Sequence, residues 1–106
     1  ETKHIINKDT LKHFPDGAIL SNTARGDMID DNAMVEALKS GKIFSLGLDV
    51  YNGEPNICSE YLTLSNVFVL PHLGSATIDT RTAMGNLAVS NLEEFFKNGK
   101  CKNTVN

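Results

Sequence analysis

Cysteine is scarce in this chain: Cys58 and Cys101 are the only two in 106 residues, they lie far apart, and neither belongs to a C-x-x-C pair. That removes a disulfide framework and a thiolate metal site as organising devices, so free thiols are the expected state. Long hydrophobic runs are missing as well. No apolar stretch approaches the roughly 20 residues that span a bilayer, and the amino end lacks the charged and apolar regions of a secretory leader. No Asn-x-Ser/Thr acceptor occurs. Nor is there a block of one charge. The formal net charge is −3 with acidic and basic residues mixed along the chain, leaving no basic stripe for nucleic acid and no polybasic segment for a membrane surface. A cytoplasmic protein with small, soluble partners is the expectation. The three histidines are scattered without zinc-site spacing, and Ser21, Ser45 and Ser75 lack the G-x-S-x-G setting of an exposed nucleophile. The eight glycines, at 17, 26, 41, 47, 53, 74, 85 and 99, include no pair two apart, so the pyrophosphate fingerprint G-x-G-x-x-G is missing.

What is present is an alternation of short apolar runs with helical patterns, the order expected of strand and helix units in a parallel sheet. At this length one small domain at most is possible, burying about two thirds of the unfolded surface. The chain opens on Glu1 rather than methionine, and residues 1–7 read as the tail of a connection already under way, so a fragment of a larger domain is expected. The pattern predicts a short helix from Lys8 to Phe14, stopped by Pro15-Asp16-Gly17, and a strand starting near Ala18. A helix from Asp31 to Ser40 follows, with Ala33, Met34, Ala37 and Leu38 at helical spacing, Asp30 as its cap and Gly41 in the left-handed position past its end. The second strand, about Phe44 to Val50, is apolar on both faces, as in a parallel strand covered on both sides. One helical turn is expected in the loop from Asn52 to Ser65, and a third strand over Val67-Phe68-Val69-Leu70. From Thr77 to Asn98 the spacing predicts the longest helix, with Met84, Leu87, Ala88, Leu92, Phe95 and Phe96 on one face and Gly99 as terminator. At 1.5 Å per residue it is roughly 33 Å long, more than a three-strand sheet is wide, so part of it is expected to pack elsewhere. Gly85 inside it marks either a close backbone approach or a tolerated surface glycine.

Three charged side chains each follow the end of an apolar run: Arg25 after Asn22-Thr23-Ala24, Glu54 after Val50, and His72 after Leu70-Pro71. Ligands of open α/β sheets bind outside the carboxyl ends of the strands, where all three would sit. A planar guanidinium can hold a carboxylate through two parallel hydrogen bonds, although an arginine after a strand is also often solvated or structural. The small Thr23, Ala24 and Gly26 would let a flat cofactor approach the backbone, and a tight turn would use the same residues. Histidine is the side-chain type suited to proton exchange near neutral pH, and at His72 it can give a proton to a carbonyl oxygen. Glu54 nearby favours imidazolium over imidazole and orients the ring. His4 and His13, in polar surroundings, read as partnerless surface histidines. Asp49, near the end of a buried strand, must find donors. A carboxamide or ribose hydroxyl could supply them, and so could neighbouring backbone N–H groups.

Taken together, Ile19-Leu20-Ser21-Asn22-Thr23-Ala24-Arg25-Gly26, Leu48-Asp49-Val50-Tyr51-Asn52-Gly53-Glu54-Pro55 and Leu70-Pro71-His72-Leu73-Gly74-Ser75-Ala76-Thr77 resemble, in order, three successive signatures of the D-isomer-specific 2-hydroxyacid dehydrogenases. The resemblance covers nearly the whole chain and is to the carboxyl-terminal part of the family's NAD-binding domain, most of all in glyoxylate and hydroxypyruvate reductases. It implies an α/β fold, the C-terminal half of a Rossmann-like parallel sheet with about three strands and flanking helices. It also implies an oxidoreductase transferring a hydride between NAD(P)H and a small 2-oxo or 2-hydroxy acid. In that reading Arg25 binds the substrate, His72 is the general acid or base and Glu54 pairs with His72. Thr23, Ala24, Arg25, Asp49, Gly74 and Ser75 would contact the nicotinamide end of NAD or NADP. A homo-oligomer, commonly a dimer, is implied too. The chain departs from the family by lacking the G-x-G-x-x-G half, the residue that separates NAD from NADP, and the substrate domain. The competing expectation is a non-catalytic fragment or a corepressor-like binding module of the same fold.

Overall fold

A computed structural model of the chain describes residues 2–105. It divides into two compact units, Glu1–Gly74 and Ser75–Asn106.

In the first unit, helix α1 (Lys8–Leu11) starts from a capping box: the Asn7 side chain accepts from the N–H of Asp9 and Thr10 at 2.9 and 3.1 Å, and the Thr10 hydroxyl accepts from Asn7 N–H at 2.9 Å. It ends three residues earlier than its spacing suggests. Lys12, His13 and Phe14 instead donate to carbonyls three residues back, tightened turns that lead into Pro15, which disfavours helical backbone in the residue before it. Strand β1 (Ala18–Asn22) comes next, then helix α2 (Asp31–Ser40), bounded as expected. Asp30 accepts from Ala33 N–H at 3.2 Å, and Gly41 ends the helix at φ 79°. Strands β2 (Ile43–Leu48) and β3 (Val67–Val69) complete a parallel sheet in the order β1-β2-β3. Leu20 stands opposite Leu46, and Leu48 opposite Val69. The α/β expectation of three parallel strands with flanking helices therefore holds.

The core is the face of the sheet that α2 covers. Met34, Ile43 and Leu46 are wholly buried, with Leu38, Leu48 and Leu11 nearly so, each such side chain contributing on the order of 2 kcal/mol of transfer free energy. The expected helical turn in the long loop is a 3-10 helix, Ser59–Thr63, whose Tyr61 is buried and donates its hydroxyl to Asp31 Oδ1 at 2.9 Å. One expectation fails. β2 is not covered on both faces, since Ile19, Phe44 and Phe68 are 74%, 65% and 66% exposed. The apolar alternation reported which residues can be buried, and the short helices of this unit cover one side only.

The second unit contains helix α3 (Ile78–Asn98), capped by Thr77, whose hydroxyl accepts from Thr80 N–H at 3.2 Å, and closed by Gly99 at φ 69°. The helix buries none of its residues. An added Cβ at Gly85 would meet nothing within 4 Å, which leaves the tolerated surface glycine of the two readings. Among the described residues no helix is long and apolar enough to cross a membrane.

Candidate active site

Three loops leave the carboxyl ends of the strands, and each carries one of the charged groups. The loop after β1 is folded by Asn22, a buried amide that sequence reasoning passed over. Its Oδ1 accepts from Ala24 N–H at 3.1 Å, and its Nδ2 donates to the Arg25 carbonyl at 2.8 Å. An asparagine that bonds its own backbone two residues on is a turn signal, and it was legible in Asn22-Thr23-Ala24. Thr23, Ala24 and Arg25 are exposed on this loop, and the guanidinium donates through Nη1 to the Ala24 carbonyl at 2.7 Å. Gly26 is small for a structural reason. A Cβ there would stand 1.9 Å from the carbonyl carbon of Tyr51, so the first loop lies directly on the Tyr51–Asn52 peptide.

The loop after β2 begins with Asp49, which is 6% exposed. Of its two readings the backbone one is realised: Oδ1 accepts from Leu73 N–H at 2.6 Å and Oδ2 from Gly74 N–H at 2.8 Å. The acid at the end of β2 thereby holds the loop that follows β3, and Gly74 is the close fit there, an added Cβ lying 3.3 Å from Asp49 Oδ2. Farther along, Glu54 uses both oxygens. Oε1 accepts from Tyr51 N–H at 2.9 Å, and Oε2 pairs with His72 Nδ1 at 2.7 Å. The His72 contact first, and then the Tyr51 N–H, hold the Glu54 carboxyl below its ordinary range. The Tyr51 hydroxyl donates to the Leu70 carbonyl.

His72 itself has φ 54°, a left-handed conformation that costs a residue with a Cβ roughly 1 kcal/mol or more. The contacts on either side of it keep it there. Upstream, Leu70 N–H donates to the Leu48 carbonyl at 2.8 Å; downstream, Leu73 and Gly74 are tied to Asp49. With Nδ1 engaged by Glu54, Nε2 is the ring nitrogen left for a ligand.

A hollow of about 470 Å³ at this rim is lined by Arg25, Asp27, Tyr51, Asn52, Glu54 and His72 among others. The structure thus brings Arg25, Glu54 and His72 to one cavity and directly pairs the last two. Thr23 and Ala24 flank it on the first loop, while Ser75 begins the second unit. A comparable hollow of about 490 Å³ lies between α1 and α2, but Lys8, Lys12 and Lys42 at its edge are each matched by a carboxylate, Glu36, Asp9 and Asp16. It offers no proton donor suited to a carbonyl. His13 is exposed as expected, but His4 is not a free surface histidine: it is half-buried at φ 52°, with Nε2 buried and without a hydrogen-bond partner.

The chain is similar to known proteins. Residues 1–74 match the family described as D-isomer specific 2-hydroxyacid dehydrogenase, NAD binding domain. Glyoxylate reductase 1 of Saccharomyces cerevisiae is 46% identical over 99 residues, covering 93% of this chain and 28% of the yeast protein. The crystal structure of a glyoxylate reductase from Paecilomyes thermophila superposes with a TM-score of 0.94 at 40% identity, over 98% of this chain and 32% of that one. An NADPH-dependent glyoxylate/hydroxypyruvate reductase from Sinorhizobium meliloti, solved with NADP and malonate, gives 0.93 at 39% identity, over 98% of this chain and 33% of that one. The chain therefore spans about a third of the length of the relatives it matches.

Proposed function

This chain belongs to the D-isomer-specific 2-hydroxyacid dehydrogenases, and from that premise we propose that it supplies the catalytic loops of an NAD(P)-dependent reductase of small 2-oxo acids, of the glyoxylate or hydroxypyruvate class. One observation carries the reading: His72 and Glu54 pair at 2.7 Å on the wall of a cavity that Arg25 also lines. Arg25 binds the carboxylate of the acid and aligns its carbonyl, a grip that two parallel N–H donors make directional. His72 gives a proton from Nε2 to the carbonyl oxygen, and in the reverse direction takes it back from the hydroxyl. Glu54 acts through His72: by accepting from Nδ1 it sets the ring's orientation and stabilises the charged imidazolium.

The donor set fits the nicotinamide end of a dinucleotide and not its pyrophosphate. Thr23 and Ala24 present an exposed, low-profile loop at the strand ends, and Asp49 with Gly74 forms a close-fitting turn beside it. In contrast, no glycine pair two apart exists to cradle phosphates. Thr23, Ala24 and Arg25 would hold the nicotinamide end, with Asp49 acting through the Leu73–Gly74 backbone that it fixes, and the cofactor when bound supplies the hydride. In a protein of the relatives' length, the phosphate-binding half and the substrate domain lie outside these 106 residues.

The test is to assay the full-length protein with glyoxylate, hydroxypyruvate and pyruvate against NADH and NADPH. Replacing His72 with Ala should slow turnover by about 10²- to 10⁴-fold with far less effect on cofactor affinity. Equal loss of both would identify a structural histidine and end the reading. Arg25→Lys should lower kcat/KM by roughly 10- to 100-fold, the equivalent of about 1.5–3 kcal/mol for a hydrogen bond to a charged group.

A further inference from the structure

Tyr51 touches all three loops of the candidate site. Its carbonyl carbon and oxygen lie against Gly26, where a Cβ would stand 1.9 and 2.1 Å from them. Through its N–H it donates to Glu54 Oε1 at 2.9 Å. The phenol hydroxyl reaches across the loops and donates to the Leu70 carbonyl, two residues before His72. The first two contacts are made by the backbone and survive any substitution that keeps the loop. Only the third depends on the side chain.

We propose that Tyr51 is a positioning residue of the site, its hydroxyl anchoring Leu70 so that His72 stays in its left-handed conformation against Glu54. The need for such an anchor follows from the φ of 54° at His72, which a residue bearing a Cβ holds only when its neighbours are fixed. Downstream, Asp49 fixes Leu73 and Gly74 through two hydrogen bonds. Upstream, Pro71 has no N–H to give, so Leu70 is the nearest residue with a donor, and it is tied through its N–H to Leu48 and its carbonyl to Tyr51. The phenol is suited to this because it remains protonated: partial burial, then the charges of Asp49 and Glu54, push its ionisation above the ordinary range. Phenylalanine would fill the same space and leave the Leu70 carbonyl unpaired.

The proposal deepens the proposed function, since a role for His72 in proton transfer gives its placement a catalytic consequence, but its first test is independent of activity. The proton expected between His72 Nδ1 and Glu54 is followed by NMR in the full-length protein and in its Tyr51→Phe variant. Expected is solvent exchange of that proton about tenfold faster or more in the variant, as for an opened local structure, with the dispersion of the core resonances retained. In the full-length protein, Tyr51→Phe should lower kcat about five- to tenfold and change the KM for glyoxylate less than about twofold, the pattern of a lost transition-state contribution. Unchanged exchange in a folded Tyr51→Phe chain overturns the proposal whatever the activity. So does loss of the fold, because a positioning residue leaves it standing. Activity that survives His72→Ala would instead remove the functional reading and leave the exchange result untouched.

Discussion

Asp49 does its work at a distance of 24 and 25 residues, and the consequence can be measured one atom at a time. Its two oxygens accept from Leu73 and Gly74 N–H in a setting where the residue is almost fully buried. Asp49→Asn keeps the shape but turns one acceptor into a donor facing an N–H, so it should cost about 1–3 kcal/mol, read as a lower urea midpoint with unchanged slope. An unaltered midpoint would mean the loop is held by something else. Gly26→Ala addresses the other close contact: with backbone atoms of Tyr51 and Asn52 within 1.9–2.3 Å of the new Cβ, the loops must separate, at about 1–3 kcal/mol or more. Glu54 sets a pH dependence. Its carboxyl is held below the ordinary 4.5 by His72 and by Tyr51 N–H. Its stabilising contribution is therefore complete above 4.5 and is lost as the pH falls through the lower folded-state value. Acid unfolding of Glu54→Gln should accordingly be shallower than that of the unaltered chain, though not flat, because Asp9, Asp16 and Glu60 are lowered in the same sense. Equal acid profiles would show that the pair does not persist in solution.

Among the elements, α2 is the one that makes the first unit a folded body. It carries Ala33, Met34, Val35, Ala37 and Leu38 into the core, whereas α1 contributes only Leu11. Met34→Ala should therefore destabilise the chain by about 2–5 kcal/mol, measurable by chemical denaturation; a loss below about 1 kcal/mol would mean that α2 packs loosely. The sheet has the opposite property. β1 lies at its edge, and Ile19, Phe44 and Phe68 are exposed on it. An unprotected edge beside exposed apolar residues promotes pairing between chains, so these 106 residues alone should self-associate. A dilution-resistant monomer in gel filtration would count against that. α3 is a correctly bounded helix with no core of its own, which is what a helix looks like when its apolar stripe is defined by sequence and its partner is not.

At the scale of the whole molecule, the chain carries the groups proposed for proton transfer and carboxylate binding but no G-x-G-x-x-G fingerprint. Residues 1–106 alone are expected to bind NADH very weakly and to oxidise none of it in the presence of glyoxylate, since no helix amino terminus with a glycine-rich turn is there to hold pyrophosphate. Detectable turnover by this chain would reverse that. Much of the fold was legible beforehand because its signals are local. Asp30, Ala33 and Gly41 define α2 within a dozen residues, Thr77 and Gly99 define α3, and the three apolar runs became the three strands. The strand-end positions of Arg25, Glu54 and His72 could be read in the same way. What the sequence by itself determined was thus the order and bounds of the elements and the chemical types at their ends, because caps, turns and alternation are interactions between near neighbours in the chain. Only the tertiary structure decided that Asp49 serves the Leu73–Gly74 backbone, that Gly26 is small to admit Tyr51, that His4 loses its solvent, and that His72 is pinned in a left-handed conformation against Glu54. The contacts among the strand-end loops depend on the register of parallel strands bringing together residues 18 to 25 apart in the chain, and register is set by how the core packs rather than by any residue at the rim.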